Sequence, residues 1–104
     1  MRMKLYFTLE NEKIPIDYRR SIISFIKLSL SEYSEDEFKK YYNQKDNIIK
    51  PYAFSVFFKH PQISANEIIV EDKQFEMNMT IENYETAITL YNAFNHQKNK
   101  KFSI

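Results

Sequence analysis

The side chains most able to do chemistry in this sequence are two histidines, His60 and His96. An imidazole titrates near neutral pH, so each is a candidate acid, base or metal ligand. Neither stands at metal-ligand spacing from carboxylates, and the chain has no cysteine, so we predict no metal site. His60 precedes Pro61 at the end of a strand-like run, and His96 lies near a helix-like end, where a cation is favourable. Structural roles are therefore favoured for both.

A second candidate is a run of lysines and tyrosines. Tyr41 and Tyr42 follow Lys39 and Lys40, and Lys45 comes shortly after them. Exposed tyrosine rings stack on bases while neighbouring lysines meet phosphates, as in proteins that bind single-stranded RNA. A short amphipathic helix with solvated lysines explains the same pattern and is the more common outcome. The run is thus a candidate RNA-binding or partner-binding surface.

Composition narrows the classes of function. The chain has 104 residues, 43% of them hydrophobic, and a formal net charge of +1. Such a chain folds as one domain, 1–104, and its overall charge does not draw it to nucleic acid, so any RNA contact is local. Phosphate-cradling loops and nucleophile elbows need glycine, and this sequence has none. We therefore expect no nucleotide cofactor. The sequence also lacks a membrane-spanning run and a signal peptide, so a cytoplasmic location is expected.

Hydrophobic periodicity gives the order of elements. Alternation of apolar and polar residues predicts strands over 3–9, 52–60 and 75–81, with 67–70 extending the hairpin between the last two. Helical spacing predicts helices over 18–33, with Asp17 as its N-cap, and over 82–97. The Ser34–Glu37 capping box predicts a brief helix over 38–42. The buried face of the last helix is predicted to comprise Tyr84, Ala87, Ile88, Tyr91 and Phe94.

This order predicts an α+β protein, a single ferredoxin-like β-α-β-β-α domain with a three-stranded antiparallel sheet whose fourth strand is short or missing. In that fold the fourth strand pairs beside the first, so the edge of the first strand is predicted to be bare. A bare edge invites pairing with another chain. The residues predicted for such partner pairing are Lys4, Leu5, Tyr6, Phe7 and Thr8.

Four stretches of the chain carry a family resemblance. They read Leu5-Tyr-Phe-Thr-Leu-Glu-Asn, Ile14-Pro-Ile-Asp-Tyr-Arg-Arg, Lys50-Pro-Tyr-Ala-Phe-Ser-Val-Phe-Phe and Leu90-Tyr-Asn-Ala-Phe. In this order they resemble the first ferredoxin-like domain of the Cas-six-type CRISPR repeat-processing endoribonucleases, members of the RAMP superfamily. The resemblance implies a protein of antiviral defence. It also implies tandem domains that cut precursor RNA without metal, through attack of the 2′-hydroxyl on the adjacent phosphate.

The chain departs from the family at the positions that carry cleavage. It matches only the first domain, and the glycine-rich loop that grips RNA in the family belongs to the second. The family's histidine after the first helix has no counterpart in 38–44. Lys50 falls where the family can carry a charge-stabilising lysine, and Lys27 falls where some members have a catalytic tyrosine. Lys50 is therefore a catalytic candidate only if the protein is a nuclease.

Three functions remain open from the sequence, and one of them is a metabolic ferredoxin-like binding module unrelated to CRISPR, because this fold hosts many functions. The function that the resemblance favours is a catalytically reduced binding protein, such as an anti-CRISPR inhibitor or mimic, which docks on a CRISPR effector protein or on crRNA. The alternative is a metal-independent endoribonuclease that works as one half of a split or dimeric enzyme. Either form allows a homodimer. The candidate RNA-binding or partner-binding residues are Arg19, Arg20, Lys27, Lys39, Lys40, Tyr41, Tyr42 and Lys50.

Overall fold

A computed structural model describes residues 1–42 and 51–101 of the chain. Strands and helices follow one another in an α+β arrangement, as the sequence predicts. In chain order the elements are β1 (Arg2–Thr8), β2 (Lys13–Pro15), α1 (Tyr18–Tyr33), α2 (Glu35–Tyr41), β3 (Tyr52–Phe58), β4 (Gln62–Ile63), β5 (Glu67–Ile69), β6 (Gln74–Ile81) and α3 (Tyr84–His96).

The main sheet contains the three strands that alternation predicts. Its order is β1-β6-β3, and both pairings are antiparallel. The last strand in the chain therefore lies in the centre, where β6 contributes the buried Phe75, Met77, Met79 and Ile81. β1 and β3 form the two edges. Within the described residues no further strand pairs with either edge.

A second small sheet was not expected from the sequence. Its order is β2-β5-β4, and it is antiparallel throughout. The prediction of one sheet with 67–70 extending the hairpin was wrong, because β5 turns away to pair with β2 and β4. Ile14 and Ile68 oppose each other across this sheet, and both are buried. Burial of these two side chains stabilises the pairing of the short strands.

The helix starts follow local capping. The hydroxyl of Ser34 accepts a hydrogen bond from the Glu37 amide at the start of α2, as the capping box predicts. Asn83 caps α3 through its side-chain oxygen, which lies 2.8 Å from the Thr86 amide nitrogen. Asp17 occupies the N-cap position of α1 without a side-chain capping hydrogen bond. The prediction of Asp17 as the N-cap residue was therefore correct in position, but its side chain makes no capping hydrogen bond.

The core lies between one face of the main sheet and the helices. Ile22, Ile26 and Leu30 of α1 are completely buried, as is Leu90 of α3. Among the described residues, no helix is long and apolar enough to cross a membrane.

The predicted core face of α3 was partly wrong. Ala87 and Phe94 are buried as expected, but Tyr84, Ile88 and Tyr91 are 68%, 45% and 58% exposed. The buried face is completed instead by residues that the sequence prediction did not include. These are the large apolar Leu90, the small Ala93 and the polar Thr86 and Thr89.

Candidate functional site

The face of the main sheet that points away from the core carries two exposed aromatic rings. Tyr6 of β1 is 74% exposed and Phe57 of β3 is 57% exposed. Both oppose Glu76 of the central strand, so the three residues form one row across the sheet. Neighbouring strands lie about 4.8 Å apart, which places the backbones of the two aromatic residues about 10 Å from each other. We call this surface the open face.

Polar side chains surround the two rings. A shallow cleft of about 470 Å³ contains both rings together with Lys59, Asp72 and Gln74. Strand alternation places further polar residues on the same face, because side chains two positions apart point the same way. These are Arg2, Lys4 and Thr8 of β1, Asn78 and Thr80 of β6, and Ser55 of β3.

The charges of the open face are mixed. Lys4 lies 3.7 Å from the Glu76 carboxylate, and both side chains are partly exposed. This pair compensates the acidic group at the centre of the row, although an exposed ion pair adds little stability. The Asp72 carboxylate accepts a hydrogen bond from the backbone N–H of Gln74 in the turn before β6. Arg2 and Lys59 are the cations of this face with no ion pair among the described residues.

The backbone of β1 has a defined outward side. Met1 and Ile81 exchange both backbone hydrogen bonds, and the Leu9 amide donates to Lys73. In an antiparallel pair, hydrogen-bonded positions alternate along the strand, so odd-numbered residues of β1 bond to β6. The N–H and C=O groups of the even-numbered residues, including Lys4 and Tyr6, therefore point away from the sheet at its edge. This geometry suits strand addition.

The residues predicted for edge pairing divide between the two faces of the sheet. Lys4, Tyr6 and Thr8 are exposed on the open face. Leu5 and Phe7 are half-buried and pack against the core. The Phe7 ring stacks on Phe75 with centroids 4.7 Å apart.

Arg19 and Lys27, two of the predicted binding residues, each lie over an aromatic ring. The Arg19 guanidinium is 4.4 Å from the centroid of Phe54, and the Lys27 ammonium is 5.2 Å from that of Tyr42. Such cation–π contacts contribute roughly 0.5–1 kcal/mol at exposed sites. The two cations lie two helical turns apart on α1, so the structure brings them to one side of the helix. Arg20 instead lies 4.0 Å from Asp17 at the helix start.

The lysine and tyrosine run does not form one surface. Tyr41 is 8% exposed, and its hydroxyl lies 3.0 Å from that of Thr86. Its ring therefore belongs to the core and presents no face for stacking. Lys40 binds Glu37 and Glu85, and the hydrogen bond to Glu85 raises the pKa of its ammonium above the usual value.

The remaining residues of this predicted surface have different environments. Tyr42 is half-buried with its hydroxyl bonded to that of Tyr52, and burial raises the pKa of Tyr42 to about 12. Lys39 is exposed in the last turn of α2. Lys50, and the nearby Lys45, lie outside the described residues.

Neither His60 nor His96 lines the open-face cleft, although His60 directly follows Lys59, which does line it. His60 adopts a left-handed backbone conformation, with φ of 48°, directly after β3. A non-glycine residue accepts that conformation chiefly in turns, which is the hairpin-end position that the sequence favours. Among the described residues, no group of three or more histidine and carboxylate side chains is arranged to hold a metal ion.

Phe57 was missed as a functional candidate. Its signal was present in the sequence, because alternation along β3 places this phenylalanine with Ala53, Ser55 and Lys59 on the polar side of the strand. A large aromatic side chain among small and charged residues is unusual for a solvated face. Its proximity to Tyr6 depends on strand order, which the sequence pattern does not give.

The chain was compared with protein-family models, with curated proteins and with solved structures. No family model, curated protein or solved structure matches the chain.

Proposed function

We propose that this chain is a ferredoxin-like, CRISPR-related protein that binds single-stranded RNA on its open face and does not cut it. In this proposal it acts as an inhibitor or mimic that occupies crRNA. The observation that carries the proposal is the pair of exposed rings, Tyr6 and Phe57, in one row of the open face.

The proposed fold rests on the main sheet. Its order β1-β6-β3, with α1 between the two edge strands in sequence and α3 after the central strand, supports the proposal of a split β-α-β unit. The β2-β5-β4 sheet is then an addition built from the two loops of that unit. The likeness to the first domain of Cas-six-type proteins rests on the four sequence stretches, and this arrangement is compatible with it.

The open face has the features that single strands of RNA require. Bases stack on aromatic rings whatever their identity, and polar side chains of the same sheet read the base edges. Tyr6 and Phe57 supply two exposed rings on which bases can stack, on strands whose backbones lie about 10 Å apart. Asn78, Ser55 and Gln74 supply nearby donors and acceptors.

The charge of the open face sets how salt acts on binding. Arg2 and Lys59 are available to phosphates, while Lys4 is paired with Glu76. Each neutralised phosphate of a single strand contributes a slope of about −0.7 to the dependence of log K on log salt. We therefore expect a shallow slope of roughly −1 to −2, with stacking as the larger contribution to affinity.

Binding without cleavage fits the side chains at this site. Metal-free transesterification needs a general base or acid and a cation at the developing charge. No histidine lines the open-face cleft. The nuclease alternative would rely on Lys50, which lies outside the described residues. Incubation with labelled repeat RNA in a chelator distinguishes the two, because a cleavage product that Lys50→Ala abolishes would establish the alternative.

The binding test uses fluorescence anisotropy with a labelled single-stranded repeat-type RNA. Tyr6→Ala and Phe57→Ala should each weaken binding about 5-fold to 150-fold, which corresponds to about 1–3 kcal/mol per stacked base. Tyr6→Phe keeps the ring and should bind like the original protein. Ile63→Ala removes a side chain that is 69% exposed on the second sheet and should have no effect. Equal affinity of all variants, or no RNA binding, would contradict the proposal.

A second candidate function is docking on a CRISPR effector protein through the edge of β1. The outward backbone groups of Lys4 and Tyr6 favour it, because an extended segment of a partner can add to them as a strand. Copurification with effector subunits tests this candidate. Lys4→Pro removes one outward N–H while leaving the odd-numbered bonds to β6, so it should abolish copurification if the strand edge is the contact.

A further inference from the structure

The outer side of α3 carries a stripe of large exposed side chains. Tyr84, Ile88 and Tyr91 recur at the i, i+4 and i+7 positions that share one side of a helix. They are 68%, 45% and 58% exposed, whereas Leu90 on the opposite side is completely buried. We call these three residues the α3 stripe. It belongs to the helical layer, so it is separate from the open face on the other side of the sheet.

The α3 stripe has no role in folding that the structure reveals. α3 already buries a full opposite face and packs against α1 and β6. An exposed stripe of two tyrosines and an isoleucine is typical of protein interfaces, where aromatic residues are enriched and act as anchors. The residue types therefore point to a protein partner.

We propose that a second copy of this chain docks on the α3 stripe, with the two α3 helices antiparallel about a two-fold axis near Ile88. In such a contact the same patch serves both copies, so it must be complementary to itself. An axis at Ile88 places the two isoleucines against each other. Tyr84 of one copy then lies toward Tyr91 of the other, because these residues flank Ile88 on either side.

Charge favours the antiparallel orientation. Glu82 directly precedes the N-cap of α3, Glu85 lies in its first turn, and His96 at its end is followed by Lys98. Antiparallel packing brings the acidic end of each helix toward the basic end of the other, and it also opposes the two helix dipoles. Glu85 is shared with Lys40 at 3.2 Å, which leaves Glu82 and Lys98 as the principal complementary charges of this contact.

The size of the stripe sets the strength of the dimer. A tyrosine or other large aromatic side chain buries roughly 150–250 Å² when fully covered, and these side chains are about half exposed to begin with. The two tyrosines and the smaller Ile88 together give a few hundred Å² per copy, below the approximately 800 Å² of a standard stable interface. The expected dimer is therefore weak, with dissociation in the micromolar range or above, and its population depends on protein concentration.

Sedimentation equilibrium over a dilution series measures this dimer. The mass of the original protein should rise toward that of a dimer with concentration, and Ile88→Glu should keep it monomeric by burying a charge at the axis. Ile63→Glu places the same charge on the second sheet and should leave the dimer unchanged. Circular dichroism of each variant shows whether the fold is retained; since Ile88 is exposed, we expect that it is.

A charge exchange tests the antiparallel orientation. Lys98→Glu should weaken the dimer, and adding Glu82→Lys to it should restore association, because the two ends attract again after both changes. A monomer at every concentration would overturn the proposal, as would a dimer insensitive to Ile88→Glu. Failure of the double variant to recover association would refute the antiparallel arrangement. RNA binding on the open face stands or fails independently of these results.

Discussion

The rotation of α3 about its axis can be tested by two alanine substitutions two residues apart. The apolar pattern of the sequence assigns Ile88 to the core, but the structure exposes 45% of it and completely buries Leu90. Leu90→Ala and Ile88→Ala remove similar amounts of aliphatic side chain. Their different costs therefore report which residue faces the core.

The expected magnitudes follow from burial. Leu90→Ala removes a completely buried side chain and leaves a cavity, which costs about 2–5 kcal/mol. Ile88→Ala loses contacts that are only partly shielded from water, and alanine has the higher helix propensity, so we expect a loss below about 1 kcal/mol. The leucine should therefore cost at least about twice as much as the isoleucine.

Urea unfolding followed by circular dichroism measures the difference. With an m-value of about 1–2 kcal/mol per molar urea, Leu90→Ala should lower the midpoint by more than about 1 M, and Ile88→Ala should lower it by at most about half as much at the same m-value. The measurement is made at low protein concentration, so that any dimer through the α3 stripe is dissociated. If Ile88→Ala proved as costly as Leu90→Ala, an α3 that turns Leu90 inward and Ile88 outward would be refuted.

Three further measurements address the remaining local claims. Asn83→Ala should lower the free energy of unfolding by about 1 kcal/mol because Asn83 caps α3, whereas Asp17→Ala, at an N-cap with no side-chain hydrogen bond, should cost less; equal losses would contradict the capping assignment. Because burial raises the pKa of Tyr42 to about 12, an absorbance titration should show a late tyrosine ionisation near that pH, and Tyr42→Phe should remove it. The stability that this raised pKa contributes should be lost as pH rises from 10 toward 12, because the unfolded chain releases that proton first. Lys73 has a left-handed backbone conformation, with φ of 55°, which glycine adopts easily and a β-branched residue does not. Lys73→Gly should therefore leave the unfolding midpoint unchanged or raise it, and Lys73→Val should lower it. A valine variant of unchanged stability would contradict the left-handed turn.

The order and type of the long elements could be predicted from the sequence because their patterns are local. Alternation fixed β1, β3 and β6 to within a few residues, and the capping box located α2. The second sheet could not be foreseen, because β2 and β4 are two or three residues long and pair with β5 across α1 and a turn. Pairing of such short strands depends on distant partners, which local periodicity does not encode.

Only one of the two exposed rings of the candidate site was predicted from the sequence. Tyr6 was predicted as part of a pairing edge, but its row with Phe57 follows from placing β6 between β1 and β3. Tyr41 was predicted to be exposed for base stacking, but a tyrosine is equally suited to a core position. Its hydroxyl there has the Thr86 hydroxyl as a partner. Helical spacing was correctly recognised in α3, but apolarity alone did not choose which side faces the core. An exposed interface stripe is as apolar as a core face.

RNA binding through the two rings of the open face can be tested directly. The most direct measurement is an anisotropy titration of labelled repeat-type RNA with the double variant Tyr6→Ala/Phe57→Ala, next to the double variant Tyr6→Phe/Phe57→Tyr, which retains both rings. We expect the variant without rings to bind RNA at least about 25-fold more weakly, since two separated stacking contacts add, and the variant that retains both rings to keep its affinity. Equal RNA affinity of the two folded variants would show that these rings do not bind the RNA.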